Sequence, residues 1–175
     1  MRQAAGSTFL GMDGVLVKKV EIYTDGACTG NPGKGGYGAV LIYNGNEKRI
    51  SRGFRKTTNN RMELLAAIDA LQILKEPCSV DLYSDSKYLT DAINKKWLIS
   101  WENNGWKKSD KKAVLNTDLW KKLSELMTRH EINFIWVKGH AGNKYNEICD
   151  ALAVEAYTTE AYNIDENYEN NLPKT

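Results

Sequence analysis

The amino-acid sequence predicts an α/β fold built on one mixed sheet, and three observations lead there. Alternating residues at 18–27 are followed by an Asn44-Gly45 hairpin signal, which specifies antiparallel neighbours. Helical spacing takes over at 60–75, and a short apolar run at 79–84 returns to strand character. Two β-segments joined by a helix form a right-handed crossover, so the later strand runs parallel to a partner in the first sheet.

Residues 18–27 read as a strand because Val20 and Ile22 alternate with Lys19, Glu21 and Tyr23, until Asp25-Gly26 breaks the run. Residues 37–43 form a second strand, and 47–55 return antiparallel after the Asn44-Gly45 turn. The 60–75 helix carries Leu64, Ile68 and Leu71 on one side, with Thr58 or Asn59 as N-cap and Pro77 beyond its end. Short helices at 86–94 and 97–101 precede a polar, lysine-bearing loop at 103–115. Asn116 or Thr117 then caps a helix reaching Arg129, with Leu119, Leu123 and Leu126 on its apolar face. Residues 134–137 are a last buried strand, and a helix at 145–157 closes the domain. The result is a five-stranded mixed sheet, an antiparallel meander plus parallel strands, flanked by helices.

At 175 residues the chain has the size of one domain with a single core. With 42% hydrophobic and 26% charged residues, it falls outside disordered, collagen-like and membrane compositions. No stretch approaches the ~20 apolar residues of a membrane span, and the first residues lack the layout of a signal peptide. Cys28, Cys78 and Cys149 are odd in number and widely spaced, which argues against disulfides and cysteine-bound zinc and for a cytoplasmic location. The formal charge is +2, yet from Glu155 onward five carboxylates face only Lys174, so the body before them is more basic. Such a body suits a polyanionic partner. The expected organisation is a flexible extension at 1–16, a catalytic domain at 17–157 and a disordered acidic tail at 158–175, poor in aliphatic residues.

Four carboxylates fall where such a sheet would gather them: Asp25 ends the first strand, Glu63 lies in the first turn of the following helix, Asp85 ends the fourth strand, and Asp150 lies in the 145–157 helix. Each alone has an ordinary use as a turn, cap or solvent-facing residue. Together they would repel unless positive charge sits between them, and hard divalent cations, Mg²⁺ in particular, supply it. The glycine-rich stretch at 30–36 is no P-loop, because Gly35 follows Lys34 and a strand comes next.

Four segments, in order, carry a resemblance. They are Tyr23-Thr24-Asp25-Gly26-Ala27-Cys28 with Gly30-Asn31-Pro32-Gly33; Thr57-Thr58-Asn59-Asn60-Arg61-Met62-Glu63-Leu64; Ser84-Asp85-Ser86; and Trp136-Val137-Lys138-Gly139-His140-Ala141-Gly142 with Asn146-Glu147-Ile148-Cys149-Asp150. Over about residues 17–157 the chain resembles type 1 ribonuclease H of the free-standing bacterial kind. The resemblance implies a ribonuclease H-like fold and an endonuclease that hydrolyses the RNA strand of RNA–DNA hybrids, leaving 5′-phosphate and 3′-hydroxyl ends. It implies that Asp25, Glu63, Asp85 and Asp150 bind metal and that His140 is a flexible-loop histidine assisting proton transfer or product release. The metal expected is Mg²⁺, with Mn²⁺ as substitute, in a pair of ions roughly 3.5–4 Å apart.

Substrate reading rests on the 2′-hydroxyl, which small polar groups can recognise. The resemblance assigns the minor groove to Cys28, Asn31, Asn59 and Asn60, and a DNA-strand phosphate to Thr58 and Asn116. Trp97, Trp101 and Trp106 stand among Lys95, Lys96, Lys107, Lys108, Lys111 and Lys112, which matches a basic protrusion gripping the DNA strand. Here Glu102-Asn103-Asn104 departs from the most basic versions. His130, after a helix end, has a structural use and no expected role in catalysis. The partner expected is an RNA–DNA hybrid, with no membrane, no obligate protein partner and a monomeric state. Two other readings share these features: a hybrid-binding module that does not cut, and another nuclease or strand-transfer enzyme of the same fold. The four carboxylates argue against the first, because binding a polyanion gains nothing from an acidic cluster.

Overall fold

The computed structural model describes residues 8–11, 13–159 and 162–172. The elements run β1 (Thr8–Leu10), β2 (Leu16–Thr29), β3 (Gly33–Tyr43), β4 (Asn46–Thr57), α1 (Asn59–Ile73), β5 (Cys78–Ser84), α2 (Lys87–Asn94), α3 (Trp97–Asn103), α4 (Thr117–Arg129), β6 (Glu131–Trp136), α5 (Lys144–Thr158) and α6 (Glu166–Asn170). The sheet order is β4-β3-β2-β5-β6, with β1 added against β2. The expected five-stranded mixed sheet is therefore present, enlarged by one short strand. β2, β3 and β4 are the antiparallel meander, and β5 lies parallel to both β2 and β6. Asn44 and Gly45 both take positive φ, 50° and 75°, as the type I′ turn between paired Tyr43 and Asn46 requires.

Alternation along the strands sorts the two faces. Ile22, Ala39, Leu41, Val80 and Leu82 meet Leu64, Ile68 and Leu71 of α1 in one buried core. α1 is buried almost all round, because α4 covers its far side with Leu119, Trp120 and Leu123. α5 takes the opposite face, over a strip without side chains: a Cβ at Gly38 would lie 2.4 Å from the Cys149 carbonyl, and one at Gly53 would lie 2.0 Å from that of Ala156. Thr58, not Asn59, caps α1, its hydroxyl accepting from the Arg61 N–H at 3.3 Å. Asn116 precedes α4 in the left-handed region with no side-chain cap bond, so the capping expected of it does not form. His130 ends α4 buried, and its Nδ1 accepts from the Cys78 N–H at 3.1 Å. Its use is structural, and burial holds its pKa below the usual histidine value.

Both ends depart from expectation. Within the 1–16 extension, β1 pairs residue by residue with 16–18, while residues 1–7 and 12 lie outside the described residues. The tail expected to be disordered folds back over β4 through residues 162–172. Asn163 exchanges backbone bonds with Gly53 and Arg55, and Glu169 holds Arg55 at 2.6 Å. Asp165 is buried, accepting from Arg61 Nε at 2.7 Å and from the Thr57 hydroxyl at 2.8 Å. Arg61 also grips Asp118 with two bonds, of 2.9 and 2.7 Å. Scarcity of aliphatic residues predicted disorder, but the tail is anchored by polar groups meeting arginines.

Removing one partner of a buried pair strands the other. Asp165→Ala should therefore lower stability by about 2 kcal/mol, moderated by the Asp118 contact that Arg61 keeps. Ending the chain after Tyr162 should cost at least as much. Urea unfolding measures both, and an unchanged midpoint for Asp165→Ala would contradict the tail's anchoring role.

Candidate active site

Asp25 does not end its strand as expected: it lies inside β2, which stays paired with β3 as far as Thr29, and it stands opposite Gly38 on the face that α5 covers, 5% exposed. Its Oδ1 accepts from the Gly26 N–H at 2.9 Å. Gly26 itself faces the start of α1, where a Cβ would lie 2.7 Å from the Glu63 nitrogen and 2.8 Å from the Met62 carbonyl carbon. Only glycine lets strand and helix backbones pass so closely, and this brings Glu63 beside Asp25. Glu63 is 3% exposed, and among the described residues its Oε2 has no hydrogen-bond partner. Asp85 follows β5, whose Ser84 pairs in parallel with Thr24 as the last β2–β5 pair, so Asp85 leaves β5 beside Asp25 of β2.

Asp25, Glu63 and Asp85 each offer an oxygen within 4.8 Å of the others. Asp150, half-buried on α5, stands outside that triad but lines the same cavity of about 400 Å³. His140 lines it too, exposed and at a positive φ of 52°. Burial, then the charges of Asp85 and Asp150, push the Asp25 carboxyl up to about 8. Burial, then Asp25 and Asp85, hold Glu63 well above the usual carboxylate range. An all-oxygen donor set with one buried, unpartnered oxygen and mutual repulsion fits a hard divalent cation.

Of the expected substrate residues, Asn59 and Asn60 line the acidic cavity. Asn60 also lines a second cavity of about 650 Å³ together with Asn31, Thr58 and Asn116. Asn31 Oδ1 accepts from the Asn59 N–H at 3.2 Å. The Cys28 thiol, half-buried, turns to the Gly33 and Thr57 carbonyls at 3.6 Å. The Asn116 amide accepts from Arg61 at 3.3 Å and donates to the Tyr88 hydroxyl at 3.0 Å.

The tryptophans line neither cavity. Trp101 packs edge-on against Trp120, and Trp106 lies half-buried beneath Lys121, while Trp97 is 44% exposed beside Lys95. Glu102 accepts from the Ser124 hydroxyl, tying α3 to α4. Lys87, which the sequence reading passed over, lines the acidic cavity. Its ammonium sits 4.8 Å from the ring centre of Trp136, whose indole N–H donates to the Asp85 carbonyl at 3.0 Å. Its place two residues after Asp85, at the start of a helix, was the available signal.

The sequence model described as RNase H matches residues 17–158. The chain belongs to the ribonuclease H family. The ribonuclease H of Rippkaea orientalis is 58% identical over 153 residues, covering 87% of this chain and 94% of the relative. That of Chlorobium phaeovibrioides is 62% identical over 138 residues, covering 79% and 94%. Among solved structures, LC9-RNase H1, a type 1 ribonuclease H with the type 2 active-site motif, superposes with a TM-score of 0.72 at 31% identity, covering 87% of this chain and 79% of that one. LC11-RNase H1, solved with an RNA/DNA hybrid, gives 0.57 at 27% identity, covering 79% and 96%.

The raised carboxyls of this ribonuclease H fold fix a pH dependence. A carboxyl whose folded pKa exceeds its unfolded value contributes stability below the unfolded pKa, and that contribution is lost as pH rises through the folded pKa. In chelator-containing buffer, the cluster's contribution should decline between pH ~4 and about 8, the value for Asp25. Asp25→Asn should flatten the decline. Melting temperatures measured across that range check it, and identical pH profiles for parent and variant would contradict it.

Proposed function

We propose that this chain hydrolyses the RNA strand of RNA–DNA hybrids, leaving 5′-phosphate and 3′-hydroxyl ends, with Asp25, Glu63, Asp85 and Asp150 holding Mg²⁺, or Mn²⁺ as substitute. The observation that carries this reading is the triad of Asp25, Glu63 and Asp85, each with a carboxylate oxygen within 4.8 Å of the others, while Glu63 Oε2 is buried without a hydrogen-bond partner among the described residues. Bound there, divalent cations would supply the charge that activates an attacking water and steadies the departing 3′-oxygen.

The chain's own residues do the rest. Asp25 and Glu63, almost fully buried, keep bulk water from the cluster and fix its donors before substrate arrives. Asn59 and Asn60 border the cluster with amides, groups that can read a 2′-hydroxyl or hold a sugar edge. Cys28 and Asn31 shape the neighbouring turn through their bonds to Gly33, Thr57 and Asn59. His140, exposed at the cavity, is placed to take up or deliver a proton as the strand is cut. Lys87 adds a cation at the same rim, suited to a phosphate of the cleaved strand. The proposed setting is a monomer in the cytoplasm. Three cysteines without disulfides support it, as does the absence, among the described residues, of a helix long and apolar enough to cross a membrane.

A labelled hybrid, duplex DNA and duplex RNA incubated side by side, with Mg²⁺ or with chelator, test the reading. Only the RNA strand of the hybrid should be cut, and only with the cation; cutting of all three substrates would overturn it. Asp85→Asn should abolish cleavage while melting no lower than the parent in metal-free buffer. His140→Ala should slow turnover by roughly 10²-fold or less with cation binding retained. Loss of cation affinity in that variant would make His140 a ligand.

A further inference from the structure

Of the three acids in the triad, Asp85 is the one that neither deep burial nor strand pairing fixes, because it is half-buried and follows the last residue of β5. What holds it comes from the neighbouring strand. β5 pairs with β6 as far as Ser84 opposite Trp136, and the Val137 N–H still reaches the Ser84 carbonyl at 3.0 Å. The next carbonyl is that of Asp85, and the Trp136 indole N–H donates to it at 3.0 Å, so a side chain carries the ladder one residue past the strand. Trp136 is 43% exposed, which leaves its ring to be oriented by this bond and by the Lys87 ammonium, 4.8 Å from the ring centre. Both partners lie where β5 gives way to α2. Three residues further on, the chain crosses the Asp85 carboxylate at Gly139, where a Cβ would lie 2.5 Å from Oδ2, and His140 follows into the acidic cavity. One segment thus brackets Asp85, its carbonyl through Trp136 and its carboxylate through Gly139.

We propose that Trp136 is a positioning residue for Asp85: its indole N–H fixes the Asp85 peptide, and with it the aim of the carboxylate into the acidic cavity and the line on which the His140 loop leaves β6. This rests on the metal-binding, hybrid-cleaving reading of the acidic cluster. Groups that orient a metal ligand without touching the metal change affinity or activity by about 10- to 100-fold when they are removed. Because the effect passes through Asp85, it falls on the reacting centre and not on the binding of the hybrid, so kcat drops while KM holds.

The test uses two variants: Trp136→Phe, and a chain in which benzothienylalanine replaces Trp136, keeping the outline of the ring and its contact with Lys87 but not the N–H. In calorimetry without substrate, both should bind Mg²⁺ roughly tenfold more weakly than the parent. On a hybrid at one fixed Mg²⁺ concentration, kcat should fall roughly tenfold, with KM within about twofold of the parent. Parent-like Mg²⁺ affinity and kcat in the benzothienylalanine chain would overturn the proposal even with Trp136→Phe impaired, because the packing of the ring would then be what matters. A raised KM with unchanged kcat would also overturn it, by making Trp136 a substrate contact. If Trp136→Phe melts at the assay temperature, the benzothienylalanine chain decides. A parent that leaves hybrids uncut would overturn the hybrid-cleaving reading instead, and the Mg²⁺ affinities would still decide the role of Trp136.

Discussion

Three carboxylates with oxygens inside 4.8 Å repel one another, and the architecture exists under that constraint. At the effective dielectric of a protein site, each ionised pair at such a distance costs about 3 kcal/mol. Three pairs would approach the whole stability of a domain, which is about 5–15 kcal/mol. Protonation or a bound cation must offset the charge, and the upward shifts of Asp25 and Glu63 are the first of these responses. The close approach is enforced by backbone packing remote from solvent. Gly26 lets β2 pass the start of α1, parallel pairing of β2 with β5 sets Asp85 beside Asp25, and the side-chain-free strip on β3 and β4 draws α5 and Asp150 inward.

Arg61 links this cluster to the chain's end. It lies on α1 two residues before Glu63, and its guanidinium is divided between Asp118 on α4 and Asp165 before α6. The same groups that anchor the tail therefore fix the end of the helix that carries a central carboxylate. A buried cation with two carboxylate partners tolerates little displacement, because each lost contact leaves desolvated charge behind. Stability of the tail and geometry of the site are in this way one problem of polar satisfaction.

The sheet was legible in the sequence because its signals are local. Val20 and Ile22 alternate, Asn44-Gly45 demands one turn type, and Leu64, Ile68 and Leu71 recur at helical spacing. Of the three triad carboxylates, Asp85 was legible because β5 ends at the residue before it, while Asp25 lies inside β2, which runs on to Thr29, and Glu63 stands fifth in α1, so their meeting rests on the close approach at Gly26. What escaped depends on partners distant in sequence. Asp165 reads as one more tail acid until Arg61 and Thr57 surround it. Trp101 and Trp106 suggest a nucleic-acid grip among lysines, yet pack onto the core through Trp120 and Lys121. Asn116 resembles a cap, but its left-handed backbone and its bonds to Arg61 and Tyr88 give it a different task.

The central claim is that the cluster carries protons when empty of metal and exchanges them for a cation. Metal binding to protonated ligands releases protons. Calorimetric titration of Mg²⁺ at pH 7, in two buffers of different ionisation enthalpy, counts them directly. Release on the order of one proton per binding event is predicted from the raised Asp25 and Glu63 carboxyls. Binding without proton release, or no binding at millimolar Mg²⁺, would contradict the account.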